Sequence, residues 1–406
     1  MSVVYGSSLR EVPISVTRQR VEPLLAGLGI TRVTETTALD RIGVPVAAGI
    51  RPSAAPDNLC VSAGKGATVE EAMVGAMMEA LEFAFAEPGR APLPILSARV
   101  GDVLDGAQRP RAILDLCPMW GITLDLQAQI DCIEAADLRG QGKALVPAEL
   151  VLHPYVNRGA GYFGSGTNGL ASGNTVDEAT VHALCELIER DVLSFHRIAS
   201  DAPPISPASL PEPLVALAAR LDAAGFDLVL RSLGNPFGLP VFHAVAVDRG
   251  EHSMTLPGSG CHLSAAIAAG RAITETVQAR LTLIHGARDD LTRVWAAHAG
   301  RTREQIEETF TRAFATAPKS APVAFAAIPE VPVSSVAEAL PRLLEILARA
   351  GFPTALRVVY TPPGYPVAVV RVIVPGLETY SRETRRRGPR LVSFLRAQRG
   401  PSPRLW

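Results

Sequence analysis

Residues 66–82 read GATVEEAMVGAMMEALE, and residues 173–189 read GNTVDEATVHALCELIE. Aligned without a gap, these two segments share 9 of 17 residues, which indicates an internal repeat. A weaker third copy, HLSAAIAAGRAITETVQ, occupies residues 262–278. It keeps Glu275 but has Gln278 where the first two copies end in glutamate. The apolar periodicity of the three segments predicts three equivalent helices.

The first residues of each copy are typical of a helix start. Thr68 and Thr175 are each followed three residues later by a glutamate, which is the pattern of a capping box. Ser264 opens the third copy and is a plausible N-cap, although Ile267 replaces the glutamate there. We therefore expect the helices to begin just after these three residues.

Helix geometry places the acidic residues of each copy on one face. At about 100° per residue, Glu71, Glu79 and Glu82 project at about 0°, 80° and 20°. The second copy repeats this arrangement with Glu178, Glu186 and Glu189. Capping or a solvated face explains single acids, but two acidic faces on otherwise apolar helices favour a shared metal site. Because the ligands are all oxygen atoms, we expect Mg²⁺.

Basic residues near these helices suit a phosphate-bearing ligand. Residues 62–67, SAGKGA, resemble a phosphate-binding loop without matching the P-loop pattern. Lys65 and the backbone N–H groups of the following helix suit anionic oxygens, whereas a flexible turn is the alternative. Arg190 can neutralise a polyphosphate or pair with a neighbouring acid. If the three copies converge, the third helix adds Arg271, Glu275, Gln278 and Arg280 to the same centre.

Helices and strands are intermixed along the chain without regular alternation, which predicts an α+β fold with mixed sheets. The patterns predict helices over residues 21–29, 68–87, 175–197, 264–286 and 336–350. They predict strands within residues 41–50, 122–138, 143–155, 226–247, 354–360 and 365–374. Residues 319–334 are rich in Ala, Pro and Val and are interpreted as an exposed connection. We predict an N-terminal segment over 1–60 packed on the core, a catalytic domain over 61–390 and a tail over 391–406.

The 406 residues are 48% hydrophobic and 19% charged, with a net charge of −1, which is typical of a globular protein. The charge balance gives no indication of a nucleic-acid partner. No apolar run is long enough to predict a membrane span, and the first residues lack the pattern of a secretion signal. The odd number of cysteines, without a CxxC pair, favours free thiols. We therefore expect a cytoplasmic protein.

The repeated segments resemble the signature blocks of YcaO-domain proteins. The blocks are SAGKGAT…MEALE, SGNTVDEATVHALCELIERD, GRAITETVQAR and VIVPGLE, in that order, and the resemblance runs from about Gly29 to Glu378. It implies a YcaO-type fold, unrelated to P-loop proteins, in which pseudo-repeated helices surround a central site for ATP and two Mg²⁺ ions. We also expect a homodimer.

The resemblance assigns roles to particular residues. Glu79 and Glu82 match the first metal-binding ExxE, and the second carboxylate set corresponds to Glu178, Glu186 and Glu189. Nucleotide contacts in the family correspond to Asn174, His182 and Arg190. With Lys65, Arg271, Gln278 and Arg280, these are the expected cofactor-binding residues, and Lys65 and Arg190 are the expected catalytic ones. Two departures stand out: Phe83 replaces an arginine that often follows the first ExxE, and Ala72 and Ala171 replace small polar residues of some relatives.

The same resemblance implies what ATP is used for. A nucleophile attacks a backbone amide of a ribosomally made precursor peptide, the oxygen is phosphorylated, and phosphate leaves. A Cys, Ser or Thr side chain then gives an azoline, the peptide's N-terminal amine gives a macroamidine, and an exogenous sulfur gives a thioamide. We favour cyclodehydration, with TfuA-dependent thioamide formation as the alternative. The ending GPSPRLW, at residues 400–406, lacks the PxPxP tail of azoline-forming relatives that use an E1-like partner.

Other interpretations remain open from sequence. A carboxylate-bridged metal oxidase would need histidines near the ExxE pairs and would work without ATP. A non-catalytic ATP-binding subunit that delivers peptide to another enzyme is consistent with Phe83. His182 and His262 are candidates for a catalytic histidine, although a structural role is favoured for each. The cluster Arg385, Arg386, Arg387 and Arg390 is interpreted as a solvated face rather than a peptide contact.

Overall fold

The secondary-structure elements define three strand–helix units and the sheets around them. The computed structural model describes residues 4–5, 7–104, 112–140, 142–156, 161–198, 202–250, 256–291, 300–302, 304–305, 320–381 and 385–398. Its main helices are α1 (Ile14–Val21), α2 (Val69–Ala86), α3 (Val176–His196), α4 (Glu212–Ala223), α5 (Ala265–His285), α6 (Val336–Arg349) and α7 (Pro389–Gln398). Its strands are β1 (Val4–Tyr5), β2 (Leu9–Arg10), β3 (Arg32–Glu35), β4 (Val46–Ile50), β5 (Val61–Lys65), β6 (Leu96–Arg99), β7 (Gln129–Asp137), β8 (Lys143–Pro147), β9 (Leu170–Gly173), β10 (Phe226–Ser232), β11 (Val241–Asp248), β12 (Leu256–Cys261), β13 (Leu356–Val359) and β14 (Ala368–Ile373).

Each copy of the repeat is a strand followed by a long helix: β5–α2, β9–α3 and β12–α5. The hydroxyl groups of Thr68 and Thr175 accept the N–H groups of Glu71 and Glu178, at 3.2 and 3.1 Å, which satisfies a free donor at the start of α2 and α3. At the start of α5 the Ser264 side chain makes no capping bond. The predicted helices over 68–87, 175–197, 264–286 and 336–350 are confirmed.

The sheets are antiparallel, and the strand of each repeated unit lies at a sheet edge. One sheet has the order β3–β4–β5, a second has β10–β11–β12, and a larger sheet has β6–β7–β13–β14–β9 with β8 paired to β7. Because β5, β9 and β12 are edge strands, one side of each has no strand partner among the described residues. The α+β prediction with pseudo-repeated helices is confirmed.

Each of the three long helices has its own hydrophobic core. Helix α2 packs with the large sheet, α3 packs with α6, and α5 packs with α4 and the β10–β12 sheet. Leu81, Ile188 and Ile273, one from each helix, are fully or almost fully buried in these cores. Since the outer faces of the helices are fixed by apolar packing, the opposite faces are held towards one another.

Several local predictions were wrong. The segment 62–67 is mostly strand rather than loop, because Ser62–Lys65 continue β5 and pair with β4, while its contact with phosphate stays a prediction. Gly64 of this segment is required by close packing, because a Cβ there would lie 2.0 Å from the carbonyl oxygen of Ala72 in α2. Residues 21–29 form two short 3₁₀ turns instead of a helix, since Pro23 removes a backbone donor.

Two arginines of the cluster near the C-terminus are structural, so the interpretation of the cluster as a solvated face is wrong for Arg386 and Arg390, whereas Arg385 is exposed. Arg386 donates to the carbonyl oxygens of Leu116 and Cys117, and Arg390 pairs with the buried Asp191 at 2.5 Å. The sequence GPSPRLW at 400–406 lies outside the described residues.

The predicted domain limits cut through paired or continuous elements. The limit at residue 60 falls between the paired strands β4 and β5, and the limit at 390 falls inside α7. Across the described ranges, no helix is both long and apolar enough to cross a membrane.

Candidate functional site

The inner faces of α2, α3 and α5 enclose a cavity of about 640 Å³. The predicted residues that line it are Lys65, Glu79, Glu82, His182, Glu186, Glu189, Arg190, Arg271 and Gln278, together with Glu275. The structure thus brings most of the sequence-derived set to one place. That these residues bind metal or nucleotide stays a prediction.

A ring of hydrogen bonds links each repeated helix to the strand of another unit. Ser172 in β9 donates to Glu82 of α2 at 2.6 Å, and Ser259 in β12 donates to Glu189 of α3 at 2.6 Å. The third link runs in the opposite sense, because Gln278 of α5 donates to the carbonyl oxygen of Ala63 in β5 at 2.7 Å. Glu82, Glu189 and Gln278 occupy equivalent positions in the three copies, so the site has an approximate three-fold arrangement.

The equivalent acids Glu79, Glu186 and Glu275, one from each copy of the repeat, have different neighbours. Glu79 accepts the backbone N–H of Ala63 at 2.5 Å. Glu186 lies 3.9 Å from Nε of Arg190, whereas Glu275 forms an ion pair of 2.7 Å with Nζ of Lys65.

Four of the five carboxyl groups are held in an environment that opposes their charge. Burial raises the pKa of Glu79, Glu186 and Glu189, and burial raises the pKa of Glu82 to about 8 despite the hydrogen bond from Ser172. Burial also acts against the charge of Glu275, but the pKa of Glu275 is lowered, mainly by Lys65 and further by Arg190 and Arg271. Divalent cations between the first two pairs would remove this penalty.

The donor set fits Mg²⁺ bound together with phosphates. No group of three or more His, Cys, Asp or Glu side chains in the described ranges is gathered closely enough to hold a metal ion alone. Mg²⁺ commonly takes one or two carboxylates and completes its octahedron with waters and substrate phosphates. Carboxylate pairs facing a cavity with arginines on its wall provide that environment.

Glu178 and Asn174 do not line the cavity wall. Asn174 donates to both carboxylate oxygens of Glu178, at 3.0 and 3.3 Å, and the backbone N–H of Glu11 donates to the same carboxylate. These bonds tie the start of α3 to the N-terminal segment. The assignment of Glu178 to metal and Asn174 to nucleotide stays a prediction.

Arg280 also lies apart from the cavity wall. It pairs with Asp40 at 2.8 Å and with Asp248 at 3.5 Å, and its guanidinium lies 4.9 Å from the ring centre of Phe226. Two residues along α5 from Gln278, it projects about 200° away around the helix axis. A cofactor role for Arg280 therefore has no support from its contacts.

The two candidate histidines differ in position. His182 lines the cavity, its Nε2 lies 2.9 Å from the hydroxyl of Ser8, and burial lowers its pKa to about 4. Nδ1 of His262 accepts the N–H of Ser264 at 3.1 Å, and burial lowers its pKa to about 3. His262 therefore supports the turn into α5, which is a structural role.

Besides Ser172 and Ser259, sequence reasoning missed two groups of cavity residues. Ser7, Ser8 and Arg10 line the site from the β1–β2 hairpin, and Arg288 and Asp290 line it from the segment that follows α5. Neither segment carries a periodic pattern or a motif, so only the tertiary arrangement reveals these residues.

Comparisons with known proteins agree with this geometry. Residues 63–378 match the family described as YcaO cyclodehydratase, ATP- and Mg²⁺-binding. An uncharacterised protein of Methanothermobacter thermautotrophicus is 36% identical over 91% of this chain and 95% of its own. An uncharacterised protein in the tfuA 3′ region of Rhizobium leguminosarum bv. trifolii is 33% identical over 95% of this chain and 93% of its own. The structure of YcaO from Methanopyrus kandleri bound with AMPPCP and Mg²⁺ is similar at a TM-score of 0.75, with 26% identity and coverage of 95% and 97%.

Proposed function

The chain belongs to the YcaO family, and from this we propose that it uses ATP and Mg²⁺ to activate a backbone amide of a peptide substrate. The observation that carries the proposal is the convergence of two glutamate pairs from separate repeated helices on one cavity. Their burial without matching cations is unfavourable unless ions are supplied from outside.

Particular side chains would hold the metal ions. Glu79 with Glu82, and Glu186 with Glu189, would each take one Mg²⁺. Ser172 and Ser259 keep one acid of each pair oriented by donating to it. A hydrogen bond to a ligand's carboxylate fixes the direction of that ligand before the ion binds.

Positive charge on the wall suits the phosphates of ATP. Arg190 has an exposed side chain and only a long 3.9 Å contact with Glu186, so it can turn towards a polyphosphate. Arg271 lines the cavity from α5. When bound, ATP supplies the phosphoryl group that turns the amide oxygen into a phosphate leaving group.

The other residues of the cavity wall would orient the peptide substrate. The histidine among them carries no charge. His182 is neutral near pH 7, because its pKa is lowered to about 4, and it is held between Ser8 and the carbonyl oxygen of Ser172. Holding the peptide amide next to the phosphates supplies much of the acceleration in a reaction of this kind.

We favour cyclodehydration as the outcome. The family description names a cyclodehydratase, and this agrees with intramolecular attack by a Cys, Ser or Thr side chain or by the N-terminal amine of a precursor peptide. The product would be an azoline or a macroamidine.

Thioamide formation with a TfuA-type sulfur-delivering partner is the second candidate. It is supported by the relative in the tfuA 3′ region, which aligns with almost the whole of both chains. In the same cavity an external sulfur nucleophile would replace the intramolecular one.

Peptide-dependent ADP release tests the proposal. We expect release to require Mg²⁺ and to rise with a suitable peptide, and Glu189→Gln to abolish it while circular dichroism stays unchanged. Glu345→Gln, on the exposed face of α6, is the matched control and should retain full turnover. Undiminished ADP release by Glu189→Gln would overturn the site assignment.

Mass spectrometry of the peptide then separates the products. Loss of one water supports ring closure, and replacement of one oxygen by one sulfur supports the second candidate. An unmodified peptide with no ADP release would favour a peptide-delivery subunit, and turnover without ATP would favour a metal oxidase.

A further inference from the structure

The third repeated unit differs from the other two in charge. Glu275 is equivalent to Glu79 and Glu186, but its partner position holds Gln278, a neutral amide. The first and second units therefore each offer two carboxylates to the cavity, whereas the third offers one.

Lys65 supplies a matching single positive charge. Its Nζ lies 2.7 Å from Glu275, and the two side chains are 21% and 34% exposed. Lys65 ends strand β5 of the first unit and reaches across to helix α5 of the third. In the described ranges Glu79 has no ion pair within 4.0 Å, and the contact of Glu186 with Arg190 is the longer one of 3.9 Å.

The amide of Gln278 is also suited to this charge balance. It donates to the carbonyl oxygen of Ala63, a bond that a carboxylate could not make. A dicarboxylate matches a divalent ion, and one carboxylate matches one ammonium. The five cavity glutamate carboxylates carry five negative charges, which two Mg²⁺ ions and the Lys65 ammonium would balance.

From this we infer that the Lys65 ammonium acts as a built-in third cation, occupying for Glu275 the position that Mg²⁺ takes at the other two pairs. This rests on the proposed function. Lys65 then has a positioning role, because its ammonium limits the number of divalent ions to two. The phosphates would be bound by arginines instead of by Lys65. Replacing Lys65 by an uncharged residue and Gln278 by glutamate should convert the third unit into a divalent-ion site.

Metal stoichiometry tests this inference directly. Bound Mn²⁺ is counted from the loss of the free-ion EPR signal, with AMPPCP present at one equivalent per chain and with the signal lost to AMPPCP alone subtracted. We expect two ions for the wild type, two for Gln278→Glu alone, and three for the double variant Lys65→Met/Gln278→Glu. Lys143→Met removes a comparable 2.6 Å lysine–glutamate pair on the surface and should leave the count at two.

A double variant that folds and still binds two ions would overturn the inference, as would a third ion in Gln278→Glu alone. A wild type that binds no Mn²⁺ with AMPPCP would instead sink the proposed function, so the two failures are distinguishable.

A second set of variants covers the case in which that double variant does not fold. Glu275→Gln leaves the Lys65 ammonium uncompensated beside the metal positions, so Mn²⁺ should bind about tenfold more weakly. Lys65→Met/Glu275→Gln removes both charges and should restore wild-type affinity. Equal weakening in the single and double variants would contradict the assignment.

Discussion

The hydroxyl group of Ser259 donates a hydrogen bond of 2.6 Å to Oε1 of Glu189. The two residues belong to different repeated units, since Ser259 lies in strand β12 and Glu189 in helix α3. Both are buried, with 7% and 8% of their surface exposed. The bond therefore fixes the direction of a carboxylate at the junction between two units, where the proposed ion would be held.

Ser259→Ala should weaken Mg²⁺ binding without removing a metal ligand. Glu189 then loses the donor that orients it, and loss of a hydrogen-bond partner of a metal ligand costs about 10–100-fold in metal affinity. The measurement is the Mg²⁺ concentration that gives half-maximal ADP release.

Ser97→Ala serves as the control for this change. Its hydroxyl also donates to a side chain, Gln129, but on the exposed edge of the large sheet. An identical Mg²⁺ requirement in Ser259→Ala and Ser97→Ala would show that the Ser259 bond has no part in metal binding.

The helix caps should differ in strength between the repeated units. Thr68→Ala and Thr175→Ala each remove a hydroxyl that accepts a backbone N–H, so each should cost about 1 kcal/mol in the free energy of unfolding. Ser264→Ala should cost less than half of this, because the Ser264 side chain makes no capping bond. Urea unfolding monitored by circular dichroism measures all three.

The start of α5 is stabilised from another segment. Glu330 accepts the N–H of Ala265 at 2.7 Å, so Glu330→Ala should be the destabilising change there. If Ser264→Ala were as costly as Thr175→Ala, this account of the third cap would fail.

Much of the site could be predicted because its geometry is local. The spacing of Glu79 and Glu82 on one helix face follows from the helical period alone, and the repeat shows that Glu186 and Glu189 are their equivalents. Convergence could be anticipated from the apolar faces opposite these acids, which require cores on the outside of each helix.

The parts of the fold and of the site that the sequence did not predict depend on contacts between segments that are distant along the chain. Gly64 and Gly66 indicated a turn, whereas Gly64 is needed for close packing of β5 on α2. Arg10 enters the cavity through the β1–β2 hairpin, and Arg390 pairs with Asp191 although 199 positions separate them along the chain. No pattern within a single segment encodes such pairings.

His243 should make stability depend on pH in the acid range. Burial lowers its pKa to about 3, with further lowering from His196 and Arg231. An unfolded histidine has a pKa of about 6.5, so below that pH the unfolded chain binds a proton that the folded protein does not. The contribution of His243 to stability is therefore present above about pH 6.5 and is lost as the pH falls towards 3.

His243→Phe tests this dependence, because an aromatic ring is kept at the position and the titratable imidazole is removed. Relative to the wild type, the free energy of unfolding of the variant should rise by up to about 1.4 kcal/mol per pH unit below about 6.5. The neighbouring charged and titratable groups are His196 and Arg197 of α3, Arg231 of β10 and Glu275 of α5. Urea unfolding at about pH 7 and about pH 5 gives the comparison, and a difference independent of pH would contradict it.

Gly64→Ala should damage both stability and the site. The added Cβ would lie 2.0 Å from the carbonyl oxygen of Ala72 and 2.2 Å from the amide nitrogen of Ala76, and both are backbone atoms that cannot rotate away. Strand β5 must then move off α2, which costs about 1–3 kcal/mol or more and displaces Ala63 from Glu79. Gly27→Ala is the control, since a Cβ there meets nothing within 4 Å. Thermal unfolding with and without AMPPCP and Mg²⁺ measures both effects; equal melting temperatures for Gly64→Ala and the wild type would contradict the close packing.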